Sequence, residues 1–272
     1  MSNLSWKPTD GSQMGMNLET FILEGMIGAP GASGEFTSLL NQITLAAKVI
    51  TARVRSAGLA DTLGYTGETN VQGEHVQKLD VIANEAIISA LKRRGHCAGI
   101  ASEELPDPVL FPGSTGSYLV VTDPLDGSSN IDVDISIGTI FGILRLDRSK
   151  GPATLESFLK KGSELVAAGY VIYGSSTVLV FTTGRGVHGF TWDPSVGEFF
   201  LSHENIQCPD RGPYYSINEG YSGRWTPGVA EWAAHLKGTN PAEGRPYSQR
   251  YVGSLVADAH RTLLRGGIFA YP

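Results

Sequence analysis

Residues 122–132 read TDPLDGSSNID, which sets two carboxylates, Asp123 and Asp126, three residues apart and directly before Gly127, Ser128 and Ser129. At about 4 Å and an effective dielectric of about 20, two like charges repel by about 4 kcal/mol, so such a pair calls for a cation. Oxygen donors with no His or Cys beside them suit Mg²⁺ or Mn²⁺ and not zinc. The residues that follow, Gly-Ser-Ser-Asn, offer small side chains, approachable N–H groups and hydroxyls, which is how loops cradle phosphate. One ligand satisfies both halves: a phosphate ester with divalent cations between its oxygens and the aspartates. The alternative is an Asx-type turn with solvated aspartates. Three further acids stand at element ends, Glu103 and Glu104 after a short apolar run and Asp80 at a helix start; an isolated Glu-Glu pair would be a solvated edge.

These side chains need strands and helices to hold them. The run SYLVV before Thr122 reads as a buried strand that ends at Asp123, because Pro124 cannot donate to a ladder. Apolar residues Leu39, Leu40, Ile43, Ala47 and Ile50 recur at helical spacing and predict a first helix over 36–55. Leu79, Ile82, Ala83, Ala86, Ile87 and Leu91 predict a second over 78–94, ended by Gly95. Between them, the glycine-rich residues 58–77 read as a structureless connection, and one so long is often a lid. Short β-rich runs follow from Gly99 to Ser202 and predict a multi-stranded sheet. Beyond them, a strand at RGPYYSINEG, helices over 227–236 and 254–265, and a strand beginning at GGIFAYP complete the pattern. A boundary near Cys208-Pro209 would divide residues 1–207 from 208–272, giving two layered α/β units.

Composition narrows the function classes. A net charge of −6 argues against nucleic acid, since Lys92-Arg93-Arg94 is the one short basic run and reads as a helix end. No segment approaches about 18 uninterrupted apolar residues, and the first twenty residues have no signal-peptide core, which predicts a cytoplasmic protein without membrane contact. Cys97 and Cys208 belong to no metal-ligand spacing and read as free, buried thiols.

The segments DPLDGSSNID, SIGTIFGI, LVAAGYVIYGSST, YSINEGY, RYVGSLVADAHRTL and GGIFAYP together resemble the class I fructose-1,6-bisphosphatases, within the Mg²⁺-dependent, lithium-sensitive phosphatases that include inositol monophosphatases. The resemblance runs from about Glu35 to the last residue. It implies a layered α/β fold, an α+β sandwich of stacked helix and mixed-sheet layers. An N-terminal allosteric domain would carry the metal-binding carboxylates, a C-terminal domain the substrate, in a homotetramer. The implied activity is hydrolysis of the 1-phosphate of fructose 1,6-bisphosphate in gluconeogenesis. A sedoheptulose-1,7-bisphosphatase or dual-specificity sugar bisphosphatase, and an inactive sugar-phosphate-binding chain, stand as alternatives.

Carried over residue by residue, the resemblance makes Glu103, Asp123, Asp126, the Leu125 carbonyl and Glu74 ligands for more than one Mg²⁺, or Mn²⁺. Glu74 stands where the family more often has Asp. Asp80 and Glu104 would activate the attacking water, and Asp126, Gly127, Ser128 and Ser129 would receive the leaving phosphate. Asn218, Tyr221, Tyr251 and Tyr271 would hold the 6-phosphate, with Arg250 reaching in from a neighbouring subunit and Gly253, Ser254 and Leu255 lining the sugar. Ser33, Gly34, Glu35, Phe36, Thr37, Tyr118 and Arg145 are similar to an AMP site, but Ser117 replaces a phosphate-binding lysine, which predicts weak or absent AMP binding. The resemblance also places a lysine, an arginine and one more metal-ligand glutamate beyond Pro272, so the 272-residue chain by itself is expected to turn over little.

Overall fold

The structure is a computed structural model that describes residues 15–25, 34–59, 63–69, 75–93 and 95–272. Its backbone contacts divide it into two units, Met1–Asn205 and Ile206–Pro272.

The first unit opens with α1 (Leu18–Gly25), two turns that bury only Leu18 and Ile22. Two buried positions are too few for a periodicity to register, and the sequence reading did not foresee this helix. In α2 (Glu35–Arg55) all five residues of the expected apolar face are buried, and Gly34 before it takes a left-handed φ of 76°. Residues 58–77, expected to be structureless, instead hold an antiparallel pair, β1 (Tyr65–Thr69) and β2 (His75–Gln77). Ladder pairing gives the backbone polar groups of a long connection partners that a coil would leave to water. β2 runs directly into α3 (Lys78–Lys92), which ends with Arg93 as its C-cap; Arg94 lies outside the described residues.

The sheet comprises β3 (Cys97–Ser102), β4 (Val109–Leu110), β5 (Tyr118–Asp126), β6 (Ile137–Arg145), β7 (Leu165–Tyr173), β8 (Thr177–Thr182), β9 (Val187–Asp193) and β10 (Glu198–His203). Among the described residues the strand order is β10-β9-β8-β7-β6-β5-β3-β4, a layered α/β arrangement. Every pairing is antiparallel except β3 with β5, which run parallel with Ile100 beside Val120 and Ser102 beside Thr122. Alternation along β5 sends Tyr118 and Val120 into the core shared with α2 and α3, while Leu119 joins Ala98, Leu144 and Phe158 on the other face. Both faces of this strand are therefore apolar, as burial on two sides requires.

One expectation fails here. β5 does not end at Asp123 but runs on to Asp126, which pairs with Gly138 across an irregularity that contains Pro124. A bulge lets a proline sit in a ladder because it removes the need for an N–H there. The freed Pro124 carbonyl accepts the Thr139 hydroxyl at 2.8 Å.

The second unit contains β11 (Tyr214–Ser216), α4 (Pro227–Lys237), β12 (Ser248–Gln249), α5 (Leu255–Arg265) and β13 (Ile268–Phe269). Its three strands are parallel in the order β12-β11-β13, and Tyr215, Ile217 and Leu236 form its core. β12 is two polar residues and left no apolar signal in the sequence. Both cysteines are free, and Cys97 is buried as expected, but Cys208 is exposed. No helix of the described residues is long and apolar enough to cross a membrane.

Candidate active site

Parallel pairing of β3 with β5 brings two acidic stretches to one edge. Glu103 follows β3 and its N–H donates to the Thr122 carbonyl of β5 at 3.0 Å, so Glu103 and Glu104 lie beside the strand that delivers Asp123 and Asp126. Antiparallel pairing would have sent them to opposite ends. Behind them, the Ser102 hydroxyl donates to Asn84 Oδ1 of α3 at 2.8 Å, and the Glu104 N–H donates to Ser102 Oγ at 3.4 Å. One turn earlier on α3, Asp80 is buried and accepts the Gln77 N–H at 2.8 Å through Oδ2, closing a cap at the helix start. Its placement is thus set by the helix as well as by whatever chemistry it serves.

Asp123 is a strongly perturbed acid. Its Oδ1 accepts the Leu125 N–H at 3.0 Å, which alone would favour the charged form. Burial first, then the charges of Glu103 and Asp126 and a hydrogen bond shared with Glu103, push the carboxyl up to about 8. After Asp126 the chain turns through Gly127 at φ 78°, where a side chain would be strained, into a 3₁₀ turn over Ser128–Val133. The Asn130 N–H closes this turn onto the Gly127 carbonyl at 2.8 Å.

The donor set fits a hard divalent cation in its chemistry. It consists of oxygens only, and the acids crowd closely enough that Asp123 resists ionising without a counter-charge. The fit is not that of a closed cage, however: among the described residues no three His, Cys, Asp or Glu side chains stand together in a metal-holding group. Glu74 lies outside the described residues.

The residues expected around the second phosphate all follow the carboxyl ends of the three parallel strands of the other unit. Asn218 and Tyr221 follow β11, Arg250, Tyr251, Gly253, Ser254 and Leu255 follow β12, and Tyr271 follows β13. This is the edge at which open parallel sheets bind ligands. Asn218 caps a 3₁₀ turn by accepting the Gly220 N–H at 3.0 Å, and the exposed Tyr221 ring lies under the Arg224 guanidinium at 5.3 Å. Arg250 is exposed, donates to the Gln249 carbonyl at 2.6 Å and lies over the Tyr214 ring at 5.5 Å. Gly253 has φ 84°, Ser254 is buried as the N-cap of α5, and Leu255 and Tyr271 are exposed.

Three of the residues similar to an AMP site, Phe36, Tyr118 and Arg145, line a cavity of about 350 Å³ in the first unit. Phe36 and Tyr118 meet there with ring centroids 5.9 Å apart, and Arg145 lies over Tyr118 at 5.8 Å. Burial raises the Tyr118 hydroxyl above its usual range, against the pull of Arg145. Gly34, Glu35 and Thr37 open α2 nearby, and Ser33 lies outside the described residues. Sequence reasoning missed Phe21, Arg185 and His188, which line the same cavity. Phe21 comes from the unforeseen α1 and packs on His188 at 4.7 Å, a contact across distant segments that no local pattern marks. Ser117 opens onto an adjacent hollow with Arg145 and Arg148, whose guanidinium donates to the Ser114 and Gly116 carbonyls.

Comparison with known proteins covers almost the whole chain. Residues 16–204 match the family described as fructose-1-6-bisphosphatase, N-terminal domain, and residues 208–272 match its C-terminal domain. A class 1 fructose-1,6-bisphosphatase of Sorangium cellulosum is 65% identical over 273 residues, 99% of this chain and 79% of that protein. One of Chlorobium phaeobacteroides is 55% identical over 94% of this chain and 78% of its own length. Among solved structures, Leishmania major fructose-1,6-bisphosphatase in holo form superposes with a TM-score of 0.88 at 41% identity, covering 96% of this chain and 79% of that one. The same enzyme in its T-state gives 0.82 at 39% identity, with 96% and 78% coverage.

Proposed function

This chain belongs to the fructose-1,6-bisphosphatase family, and from that premise we propose that it hydrolyses the 1-phosphate of fructose 1,6-bisphosphate, releasing fructose 6-phosphate and inorganic phosphate in gluconeogenesis. The observation that carries the reading is the junction of crowded acids and an anion-binding turn in one continuous stretch. Asp123 is pushed up to about 8 by burial and by its acidic neighbours, and four residues later Gly127 begins a turn that opens with two serines.

In this reading Glu103, Asp123, Asp126 and the Leu125 carbonyl hold Mg²⁺, or Mn²⁺, with Glu74 as a further ligand. When bound, such ions polarise the phosphoryl oxygens, lower the pKa of the attacking water and neutralise charge on the leaving group. The peptide before the Leu125 carbonyl is held on both sides, its N–H donating to Asp123 and its Pro124 carbonyl accepting the Thr139 hydroxyl. Glu104 and Asp80 hold and orient the water and take its proton; such groups contribute about 10²- to 10⁴-fold. Asp126, Gly127, Ser128 and Ser129 receive the departing phosphate through backbone N–H groups and hydroxyls. Asn218, Tyr221, Tyr251 and Tyr271 donate neutral hydrogen bonds to the 6-phosphate, Arg250 adds a charge-assisted contact from a neighbouring subunit of a homotetramer, and Gly253, Ser254 and Leu255 line the sugar.

The organisation we propose is a regulatory, metal-binding domain over residues 1–207 and a substrate domain over 208–272, in a cytoplasmic enzyme. The cavity around Tyr118 and Arg145 would be the regulatory site, with AMP binding weakened by Ser117.

Phosphorus NMR of fructose 1,6-bisphosphate incubated with the protein and Mg²⁺ tests the function. Turnover, at whatever rate, is expected to consume the 1-phosphate resonance and leave the 6-phosphate intact, faster than sedoheptulose 1,7-bisphosphate or inositol 1-phosphate is consumed. Prior loss of the 6-phosphate, or faster turnover of either competitor, would refute it.

A further inference from the structure

Asp258 has no assigned role, yet it is the most deeply buried acid of the second unit, at 0% exposure in the first turn of α5. An isolated carboxylate in such a place is costly, so its partners show what it is for. Oδ1 accepts the Ser216 hydroxyl at 2.7 Å, and Oδ2 accepts the Gly253 N–H at 3.0 Å. The Val252 N–H is shared between both oxygens at 3.1 and 3.0 Å. Every contact is a donor directed at the carboxylate, which is the pattern an acceptor-only group alone can satisfy.

Those donors come from two separate segments. Ser216 ends β11, two residues before Asn218, and Val252 and Gly253 sit between Tyr251 and Ser254 after β12. Gly253 holds φ 84° there, a conformation that needs an external tie because the chain has few intrinsic reasons to keep it. We propose that Asp258 is a positioning residue for distal-phosphate recognition, clamping the β11 and β12 loops into one register so that Asn218 and Tyr251 address the same phosphate. The inference rests on the reading of this strand edge as the 6-phosphate site. Asp258 does not touch the ligand; it acts through the peptides on either side of it.

Asn is nearly the same shape as Asp, but its amide nitrogen would face a donor wherever it is placed, since both oxygens of Asp258 accept. The D258N variant should therefore bind fructose 6-phosphate on the order of 10-fold more weakly, the scale of one lost charge-assisted bond. S216A removes one donor and leaves the acid satisfied by two N–H groups, so a loss of about 3-fold is expected.

The test is isothermal calorimetry of the 272-residue protein and both variants with fructose 6-phosphate in EDTA, each checked for folding by circular dichroism at the assay temperature. Steady-state kinetics with fructose 1,6-bisphosphate and Mg²⁺ should show KM rising by the same factors while kcat stays within about 2-fold, the signature of lost uniform binding. If wild type binds and the folded variants bind equally well, the positioning role is overturned while the site reading survives. If D258N does not fold, S216A decides the matter by the same comparison. Should wild type itself fail to bind fructose 6-phosphate, the distal-phosphate reading falls and this inference with it. Lower melting temperatures with unchanged affinity would mark a purely structural acid and also overturn it.

Discussion

Replacing Asp123 with Asn asks whether the acids at the end of β5 form a cation site. In protein free of divalent metal the Asp123 carboxyl sits near 8 instead of the ordinary 3.8, through burial first and then the charges of Glu103 and Asp126. An acid whose folded pKa lies above its unfolded one holds its proton more tightly when folded. Its stabilising contribution is full below about pH 4 and is lost as pH rises to about 8. At about 1.4 kcal/mol per pH unit, the loss has a ceiling of about 6 kcal/mol. Part of the shift comes from the neighbouring charges and not from Asp123 alone, so about 2 kcal/mol is the expected share. Asn keeps an oxygen to accept the Leu125 N–H and removes one charge from the cluster. In EDTA near pH ~8.5, D123N should melt about 4–8 °C above wild type, with no difference near pH ~4. Adding Mg²⁺ should raise the wild-type melting temperature and leave that of the variant almost unmoved, because the added charge now has a counter-ion only in wild type. Scanning calorimetry with and without Mg²⁺ reads both effects. A variant that melts at or below wild type in EDTA at high pH, or that gains as much from Mg²⁺, would refute the argument.

Two further outcomes follow from single residues. Burial pushes the Cys97 thiol up to about 12, whereas Cys208 is exposed, so a maleimide should label native protein once, at Cys208, and twice only after unfolding; two equivalents at native rates would contradict the burial of Cys97. Calorimetry should find no tight AMP binding to wild type, and S117K should strengthen binding on the order of 10-fold by adding a charge-assisted contact beside Arg145; tight wild-type binding would overturn the weakening by Ser117, and an unmoved S117K the assignment of that cavity.

Local chemistry made much of the site legible. The spacing of Asp123, Asp126 and Gly127 predicts a cation and an anion bound together, because charge repulsion and the left-handed turn at Gly127 act over a few residues. The faces of α2 and α3 were equally plain, since an amphipathic helix repeats its buried positions every turn, and Leu39 to Ile50 and Leu79 to Leu91 supply several repeats. Short elements left no such trace: α1 buries two residues, β12 is two polar ones, and the β1–β2 pair is defined by backbone hydrogen bonds that any sequence of suitable length can make. Pro124 misled because a proline normally stops a ladder, and only the bulge between Asp123 and Asp126 lets β5 continue.

Which residues carry charge, and which segments bend or pack, the chain determines by itself. Which of those residues meet was decided by tertiary pairing. A parallel β3 beside β5 brings Glu103 to Asp123 across some twenty residues of sequence, and three parallel strands bring Asn218, Tyr251 and Tyr271 to one edge. The Ser216–Asp258 bond spans 42 residues, and neither residue stands out from its neighbours in the sequence. Strand direction and register are set by burial of whole faces, a property of the assembled sheet that no short window of residues contains.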